Sequence, residues 1–263
     1  SEGARFYRHA GIHMDALIFT GLSPEHIESH GSFDNYKKAK LRLVKQLAKS
    51  KKAKTLSIAC IDENKHGFSF LVQPVTTNRS YSLKDVTIIE ENEDKSIVSY
   101  KGETITIPLP GKFNTRNTLA ALILGEENNI PLPVLKEGIE SLTKIRGRIK
   151  KINEGQDFTV VVDYAHTDDS LRKLYQTFKG LRKIAVLGST GGGRDTWKRP
   201  VLGAIADEYC DEIIITNEDP YDEDPMKIIN EVASGVTHHT PTLITDRRAA
   251  IREAFKKATT GDV

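Results

Sequence analysis

The stretch "KIAVLGSTGGGRDTWKRPVLGAIADEYCDEIIITNEDP", residues 183–220, decides the fold. A short apolar run at 183–187 meets three consecutive glycines at 191–193, then helical spacing over 198–209, then a second apolar run at 212–216. Two short apolar strands joined through a helix are neighbours in a parallel sheet, because a parallel pair needs a crossover of that kind. The alternation extends in both directions. A strand at 158–162 and a helix at 170–181 precede it. A helix at 225–234, a short strand at 242–245 and a helix at 247–259 follow. The spacing predicts an α/β fold with a doubly wound parallel sheet.

Ligands of such sheets sit beyond the carboxyl ends of the strands. Three polar stretches hold that position: "VDYAHTDD" at 162–169, "GSTGGGRD" at 188–195 and "TNEDPYDEDP" at 216–225. Asp163 reads either as a turn-capping residue or as a ligand, and His166 either as a surface imidazole or as a site residue. The acidic run from Glu218 to Asp224 reads either as a solvated loop leading into a helix at Asp224-Pro225 or as part of a site. Three polar segments at adjacent strand ends point to one shared cleft. The glycines do not fit GxxxxGK[ST], since no Lys-Ser or Lys-Thr follows them, nor the dinucleotide spacing GxGxxG with an acid on the next strand end. Arg194 is the basic residue within that loop, with a planar fork suited to a carboxylate or phosphate.

The N-terminal half reads differently. Residues 15–20 (DALIFT) form a short strand ended by the turn-former "GLSPEHIESHG". Residues 32–49 follow a 3.6-residue period that places Phe33, Tyr36, Lys40, Leu43, Val44 and Leu47 on one face. Lys38, Arg42, Lys45 and Lys49 take the other face. Lys40 thus stands inside an apolar stripe, where an ammonium is costly unless it is paired, neutral or modified. A neutral lysine amine combines with carbon dioxide to give a carbamate, an oxygen ligand for a hard cation such as Mg²⁺. His26 and His30 lie in the preceding turn, either incidentally or as ligands. Residues 55–60 form the next strand, and "FSFLV", "DVTIIE", "SIVSY" and "ETITIPL" between 67 and 109 suggest a β-meander. Helices over 112–130 and 133–142 complete this half, with a boundary expected at 143–147.

Composition narrows the functional classes. A net charge of +2 with 28% charged residues gives no electrostatic case for nucleic acid or for a membrane surface. The apolar runs fall short of the ~18 residues that a membrane span needs. Two cysteines, Cys60 and Cys210, form neither a disulfide framework nor a CxxC site, as expected of buried thiols in a reducing cytoplasm. The chain opens on a charged helical stretch and closes on "TTGDV", with Val263 placed to begin a strand, so a piece of a longer protein is expected.

Taken in order, "SEG", "DALIFTGLSPEHIESHG", "NYKKAK", "LPGKFNTRNTLAAL", "GRIKKI", "VVDYAHTDDSL", "GGGRDTWKRPVLGAIA" and "EDPYDEDP" resemble the Mur ligases of peptidoglycan synthesis along nearly the whole chain. The resemblance is greatest to the branch that adds a diamino acid as the third residue of UDP-N-acetylmuramoyl-L-alanyl-D-glutamate. It implies part of a central ATPase domain over 1–145, without its P-loop, and a Rossmann-like doubly wound C-terminal domain over 146–263. It also implies an ATP-dependent acid–amino-acid ligase that uses Mg²⁺ and acts in the cytoplasm as a monomer. Its substrates would be the UDP-muramoyl dipeptide and a diamino acid, with neither nucleic acid nor membrane as partner.

By the same resemblance Lys40 is the carbamylated lysine, and His26 is a ligand or near neighbour of magnesium. Ser1 and Arg8 lie by the muramoyl dipeptide, and Asn114 and Asn117 near the adenine. Arg148, Asp163 and His166 are nucleotide-side residues, while Arg194, Glu218, Asp219, Pro220 and Tyr221 select the amino acid. Members that add diaminopimelate carry an arginine where this chain has Tyr221, which makes lysine, ornithine or another amine an equal expectation. Phe6, Glu25 and Asp168 also depart from the family pattern, and "CIDE" at 60–63 matches it loosely. Two other readings are a Mur-like ligase with a different acceptor, of cyanophycin or folylpolyglutamate type, and a non-catalytic binding protein.

Overall fold

The computed structural model describes residues 2–62, 66–71, 75–142, 145, 147–193 and 195–263. The chain divides into two units, Ser1–Thr143 and Lys144–Val263.

The first unit runs α1 (Glu2–Arg5), β1 (Ala16–Phe19), α2 (Ile27–His30), α3 (Phe33–Ala48), β2 (Leu56–Cys60), α4 (Phe68–Leu71), β3 (Thr77–Tyr81), β4 (Thr87–Glu91), β5 (Ser96–Tyr100), β6 (Glu103–Ile107), α5 (Lys112–Glu127) and α6 (Leu132–Glu140). β2 lies between β1 and β3, both parallel to it. All five β2 residues are buried, as expected of a central parallel strand covered on both faces. Leu56, Ile58 and Cys60 join Leu119, Leu122 and Ile123 of α5 in one apolar cluster. Ala59 packs in a second cluster with Phe19, Phe70, and Tyr36 and Val44 of α3. Ser32 caps α3 by accepting the Asn35 N–H at 3.2 Å, and the helix buries Tyr36, Ala39, Val44 and Leu47.

The meander is shorter than its sequence suggests. β4, β5 and β6 form it, antiparallel and in that order. Phe68–Leu71 of the expected strand "FSFLV" is instead the helical turn α4, and Val72 lies outside the described residues. Alternation would place Phe68 and Phe70 on one face, yet Phe68 is exposed while Phe70 is buried. Phe70 stacks on Phe19 with ring centroids 3.9 Å apart, and its carbonyl accepts the Ser57 hydroxyl at 2.8 Å. Tertiary packing outweighs the local pattern here.

The second unit contains β7 (Lys150–Ile152), β8 (Val160–Val162), α7 (Asp168–Thr177), β9 (Ile184–Leu187), α8 (Lys198–Tyr209), β10 (Glu212–Thr216), α9 (Pro225–Ala233), β11 (Thr242–Ile244) and α10 (Arg247–Lys257). β11, β10 and β9 form a parallel sheet in that order. Side-chain caps set the helix starts. Thr167 and Ser170 form a capping box on α7, Asp224 precedes Pro225 at the head of α9, and Asp246 caps α10.

The strand expected at 158–162 does not extend that sheet among the described residues. β8 pairs antiparallel with β7, which the sequence did not suggest. Residues 261–263 lie beside both β8 and β9: Thr159 N–H donates to the Asp262 carbonyl and Ile184 N–H to the Val263 carbonyl, each at 2.8 Å. The adjacent carboxyl ends are therefore those of β9, β10 and β11, which corrects the expected trio of β8, β9 and β10.

Both cysteines are buried, and burial pushes the Cys210 thiol up to about 12. A thiol held in its neutral form is a poor nucleophile. Neither thiol is therefore expected to react with a disulfide reagent in the native protein, and both should react once denaturant is added. Native labelling at the rate of a free thiol would contradict this packing.

Candidate functional site

In the first unit, Lys40 stands one helical turn after Tyr36 and one before Val44, half-buried on the packed face of α3. Its Nζ lies 5.2 Å from the centre of the Tyr36 ring. Among the described residues no carboxylate is within ion-pair distance of it. Burial lowers the pKa of the ammonium, and the charge of Glu25 opposes that shift. The neutral amine is the form whose nitrogen attacks the carbon of carbon dioxide, losing a proton as the N–C bond forms.

Glu25 also faces His26, with Oε1 and Nε2 3.5 Å apart. His26 has a backbone φ of 56°, in the left-handed region where non-glycine residues are uncommon and cluster at functional sites. Glu25 thus lies beside His26 and acts on Lys40 through its charge alone, a part the sequence did not reveal. His30 is buried and packs edge-on against Tyr36 at 5.5 Å, with Nε2 unpartnered. Burial lowers its pKa, and Arg5 adds to the effect.

Ser1 lies outside the described residues. Arg8 is exposed in the turn after α1, and its N–H donates to the Gly3 carbonyl. Asn114 is buried, and its side-chain amide donates to the Pro110 carbonyl at 2.7 Å, so it holds the turn that starts α5. Asn117 is exposed one turn later. Among the described residues no group of three His, Cys, Asp or Glu side chains is disposed to hold a metal ion. Glu25 is an oxygen donor of the kind a hard cation takes, His26 adds a neighbouring imidazole nitrogen, and carbamylation of Lys40 would add further oxygens.

In the second unit the glycine loop lies against the acidic loop. A Cβ at Gly188 would come within 2.5 Å of the Thr216 carbonyl oxygen, and one at Gly191 would overlap the Pro220 carbonyl. Gly191 N–H donates to the Asp219 carbonyl at 3.0 Å. Close loop-on-loop packing therefore demands these glycines. Gly193 N–H donates to Glu223 at 2.8 Å.

The fully buried Arg199 ties the assembly together. It grips Glu223 through two bonds of 2.9 Å and Glu231 through one of 2.6 Å, and reaches the Thr190 carbonyl at 3.4 Å. Arg199 and then the Gly193 N–H hold the Glu223 carboxyl down at about 2. Tyr221, at φ 53°, is exposed and lies over Gly192. Glu218 is 3.6 Å from Arg247. Arg194, the most informative residue of the loop in sequence, lies outside the described residues.

A third cluster gathers Arg148, Asp163 and His166 around the exposed Tyr164. The Arg148 guanidinium lies 4.9 Å over the Tyr164 ring, and His166 meets that ring edge-on at 4.9 Å. Asp163 accepts the Ile149 and Ala165 N–H groups, each at 2.8 Å, and so pins this cluster to the backbone. The exposed aromatic inside "DYAHT" was the available signal for Tyr164. No sequence signal marks Arg199, whose burial emerges only from packing.

The sequence matches the Mur ligase middle domain over residues 1–125 and the Mur ligase glutamate ligase domain over residues 147–263. It is 35% identical to a UDP-N-acetylmuramoyl-L-alanyl-D-glutamate–2,6-diaminopimelate ligase of Bacillus licheniformis, covering 100% of this chain and 56% of the relative. A UDP-N-acetylmuramyl-tripeptide synthetase of Roseiflexus is 34% identical, covering 99% and 56% respectively. The chain spans about half the length of the curated relatives it matches. A solved structure of a UDP-N-acetylmuramoyl-L-alanyl-D-glutamate–2,6-diaminopimelate ligase superposes with a TM-score of 0.57 at 28% identity, covering 99% of this chain and 56% of that one. Mycobacterium tuberculosis folylpolyglutamate synthase shares the fold, with a TM-score of 0.71 at 15% identity and coverage of 94% and 57%. In sequence order and in architecture, the chain belongs to the Mur ligase family.

Proposed function

We propose that the chain supplies the middle and C-terminal domains of an ATP-dependent ligase that joins an amino acid to UDP-N-acetylmuramoyl-L-alanyl-D-glutamate. The observation that carries this reading is identity of 33% to 35% across the whole chain to ligases of that name. In the reaction, a carboxylate oxygen of the D-glutamyl residue attacks the γ-phosphorus of ATP, and ADP leaves. The free amine of the incoming amino acid then attacks the acyl carbon of the acyl phosphate, and the tetrahedral adduct loses the amine proton and expels phosphate as the amide forms. Negative charge builds on phosphoryl and carbonyl oxygens, so fixed positive groups provide most of the stabilisation.

The carbamate of Lys40, with Glu25 and His26, would hold Mg²⁺, which neutralises phosphoryl charge when bound. Arg148, Tyr164 and His166 form an exposed cationic and aromatic patch suited to a nucleotide. Asn114 and Asn117 stand for the adenine side, and Ser1 and Arg8 for the muramoyl dipeptide. Arg194, Glu218, Asp219, Pro220 and Tyr221 receive the amino acid. Such substrates and ATP place the reaction in the cytoplasm.

The side chain of that amino acid follows from charge. Position 221 offers a phenol where a guanidinium would pair with a distal carboxylate, and Asp219 and Asp222 flank it in sequence with negative charge. A terminal ammonium fits better than a carboxylate. The test is amino-acid-dependent phosphate release by the full-length protein with the UDP-muramoyl dipeptide and a panel of amines. L-Lysine or L-ornithine is expected to support turnover at lower KM than meso-diaminopimelate. Turnover with diaminopimelate alone would overturn the reading of Tyr221, and no amino-acid-dependent turnover would overturn the ligase.

A further inference from the structure

The register of the parallel sheet brings three polar residues to adjacent strand ends. Leu187 pairs with Ile215, so Ser189 and Asn217 each lie two residues beyond a matched pair. Thr216 pairs with Ile244, and Arg247 follows three residues beyond, at the start of α10. These residues lie at the carboxyl ends of the strands, the side on which open α/β sheets hold their ligands.

Two of the three residues carry a buried polar atom with no partner among the described residues: the hydroxyl of Ser189, which is 3% exposed, and Oδ1 of Asn217. Buried polar groups of folded proteins are nearly always paired, so two orphans on neighbouring strand ends need an explanation. Arg247 stands beside them, already oriented. Its Nε and Nη2 donate to the Asn217 carbonyl at 2.9 and 2.8 Å, while Nη1 makes no hydrogen bond among the described residues. Gly188 is required by the backbone, since a Cβ there would lie 2.5 Å from the Thr216 carbonyl, and Arg247 Nη2 borders the same position at contact distance, 3.5 Å.

We infer that Ser189, Asn217 and Arg247 form a subsite for the head of an α-amino acid, with its carboxylate beside its ammonium; the assignment rests on the ligase reading above. Arg247 Nη1 and the Ser189 hydroxyl supply donors for a carboxylate. Asn217 Oδ1, with the Glu218 carboxylate 3.6 Å from Arg247, supplies acceptors for an ammonium. A phosphate would satisfy the two donors but leave Asn217 Oδ1 and Glu218 facing an anion, so the donor set selects a zwitterion. Groups left unpaired in the free protein and paired by the substrate also discriminate sharply against ligands that lack the matching group.

The test compares Ser189→Ala, Asn217→Ala and Arg247→Gln in the full-length protein. Loss of a charge-assisted bond in Arg247→Gln should raise the KM for the amino acid about tenfold to a hundredfold, with the KM for ATP unchanged. Ser189→Ala should raise it less and leave the Tm no lower than wild type, because it deletes a buried hydroxyl that the free protein never pairs. Unchanged KM in all three variants, or a fall in Tm of Ser189→Ala without a change in KM, would overturn the subsite while the ligase reading stands. If the wild type shows no amino-acid-dependent turnover, the ligase reading fails, and NMR shift titrations with L-lysine and with inorganic phosphate decide the subsite. Lysine-induced shifts at residues 189, 217 and 247 that vanish in Arg247→Gln sustain it. Shifts with phosphate alone, or none, refute it.

Discussion

Lys40→Ala in the full-length protein is expected to lower ligation by about a hundredfold to a thousandfold, the cost of deleting one organised charge-stabilising element from such a site. Added bicarbonate should not restore the rate, because the nitrogen that would carry the carbamate is gone. Lys40→Arg should fail as completely, since a guanidinium stays protonated and does not form a carbamate. The fold should survive both changes. Lys40 makes no ion pair among the described residues, and burial already disfavours its ammonium, so Lys40→Ala removes a desolvated charge rather than a brace. A Tm within a few degrees of wild type, together with lost turnover, is the expected pair of results. Near wild-type activity would remove Lys40 from the reaction.

Arg199→Met should act in the opposite way, on stability first. The guanidinium is fully buried and grips Glu223, Glu231 and the Thr190 carbonyl. Removing one partner of a buried ion pair costs about 3–5 kcal/mol, because the charges left behind lose both solvent and partner. The expected fall in Tm is about 10 °C or more. Arg199→Lys should recover little, since an ammonium cannot reproduce the two-pronged grip on Glu223.

The same network sets an acid limit. Arg199 and the Gly193 N–H hold Glu223 at about 2, below its ordinary 4.5, so the folded state binds that proton less readily than the unfolded state. This stabilisation is present above about pH 4.5 and fades as the pH falls towards 2. Glu223→Gln should therefore flatten the stability–pH curve of the wild type over that window. Arg199→Met with an unchanged Tm would show that the network does not hold the two loops together.

Much of the second unit was legible in the sequence because its signals are local. Asp224 before Pro225 marks the head of α9, and the apolar period of α8 gives both of its ends. Lys40 was legible too, since a 3.6-residue period places it among the buried residues of α3. The failures share one cause, which is that the deciding partner lies far away in sequence. Phe68 and Phe70 imitate strand alternation until Phe19 selects one of them for the core. β7, with two lysines in three residues, has no apolar signature at all, and its partner β8 defines it. Arg199 looks like part of a solvated basic run in "KRP" and becomes the buried clamp only when residues 223 and 231 fold against it. Ser189, Asn217 and Arg247 are ordinary residues in sequence, and only the register of three parallel strands brings them together.

The most direct test of the central claim follows one oxygen atom. The full-length protein is given the UDP-muramoyl dipeptide with ¹⁸O in its D-glutamyl carboxylate, together with ATP, Mg²⁺ and L-lysine, and the released phosphate is analysed by mass spectrometry. Attack of that carboxylate on the γ-phosphorus, followed by displacement of phosphate by the amine, transfers one labelled oxygen to phosphate for each amide formed. Labelled phosphate in step with the tripeptide product is the predicted result. Unlabelled phosphate, or ATP hydrolysis without an amide, would contradict an acyl-phosphate ligase.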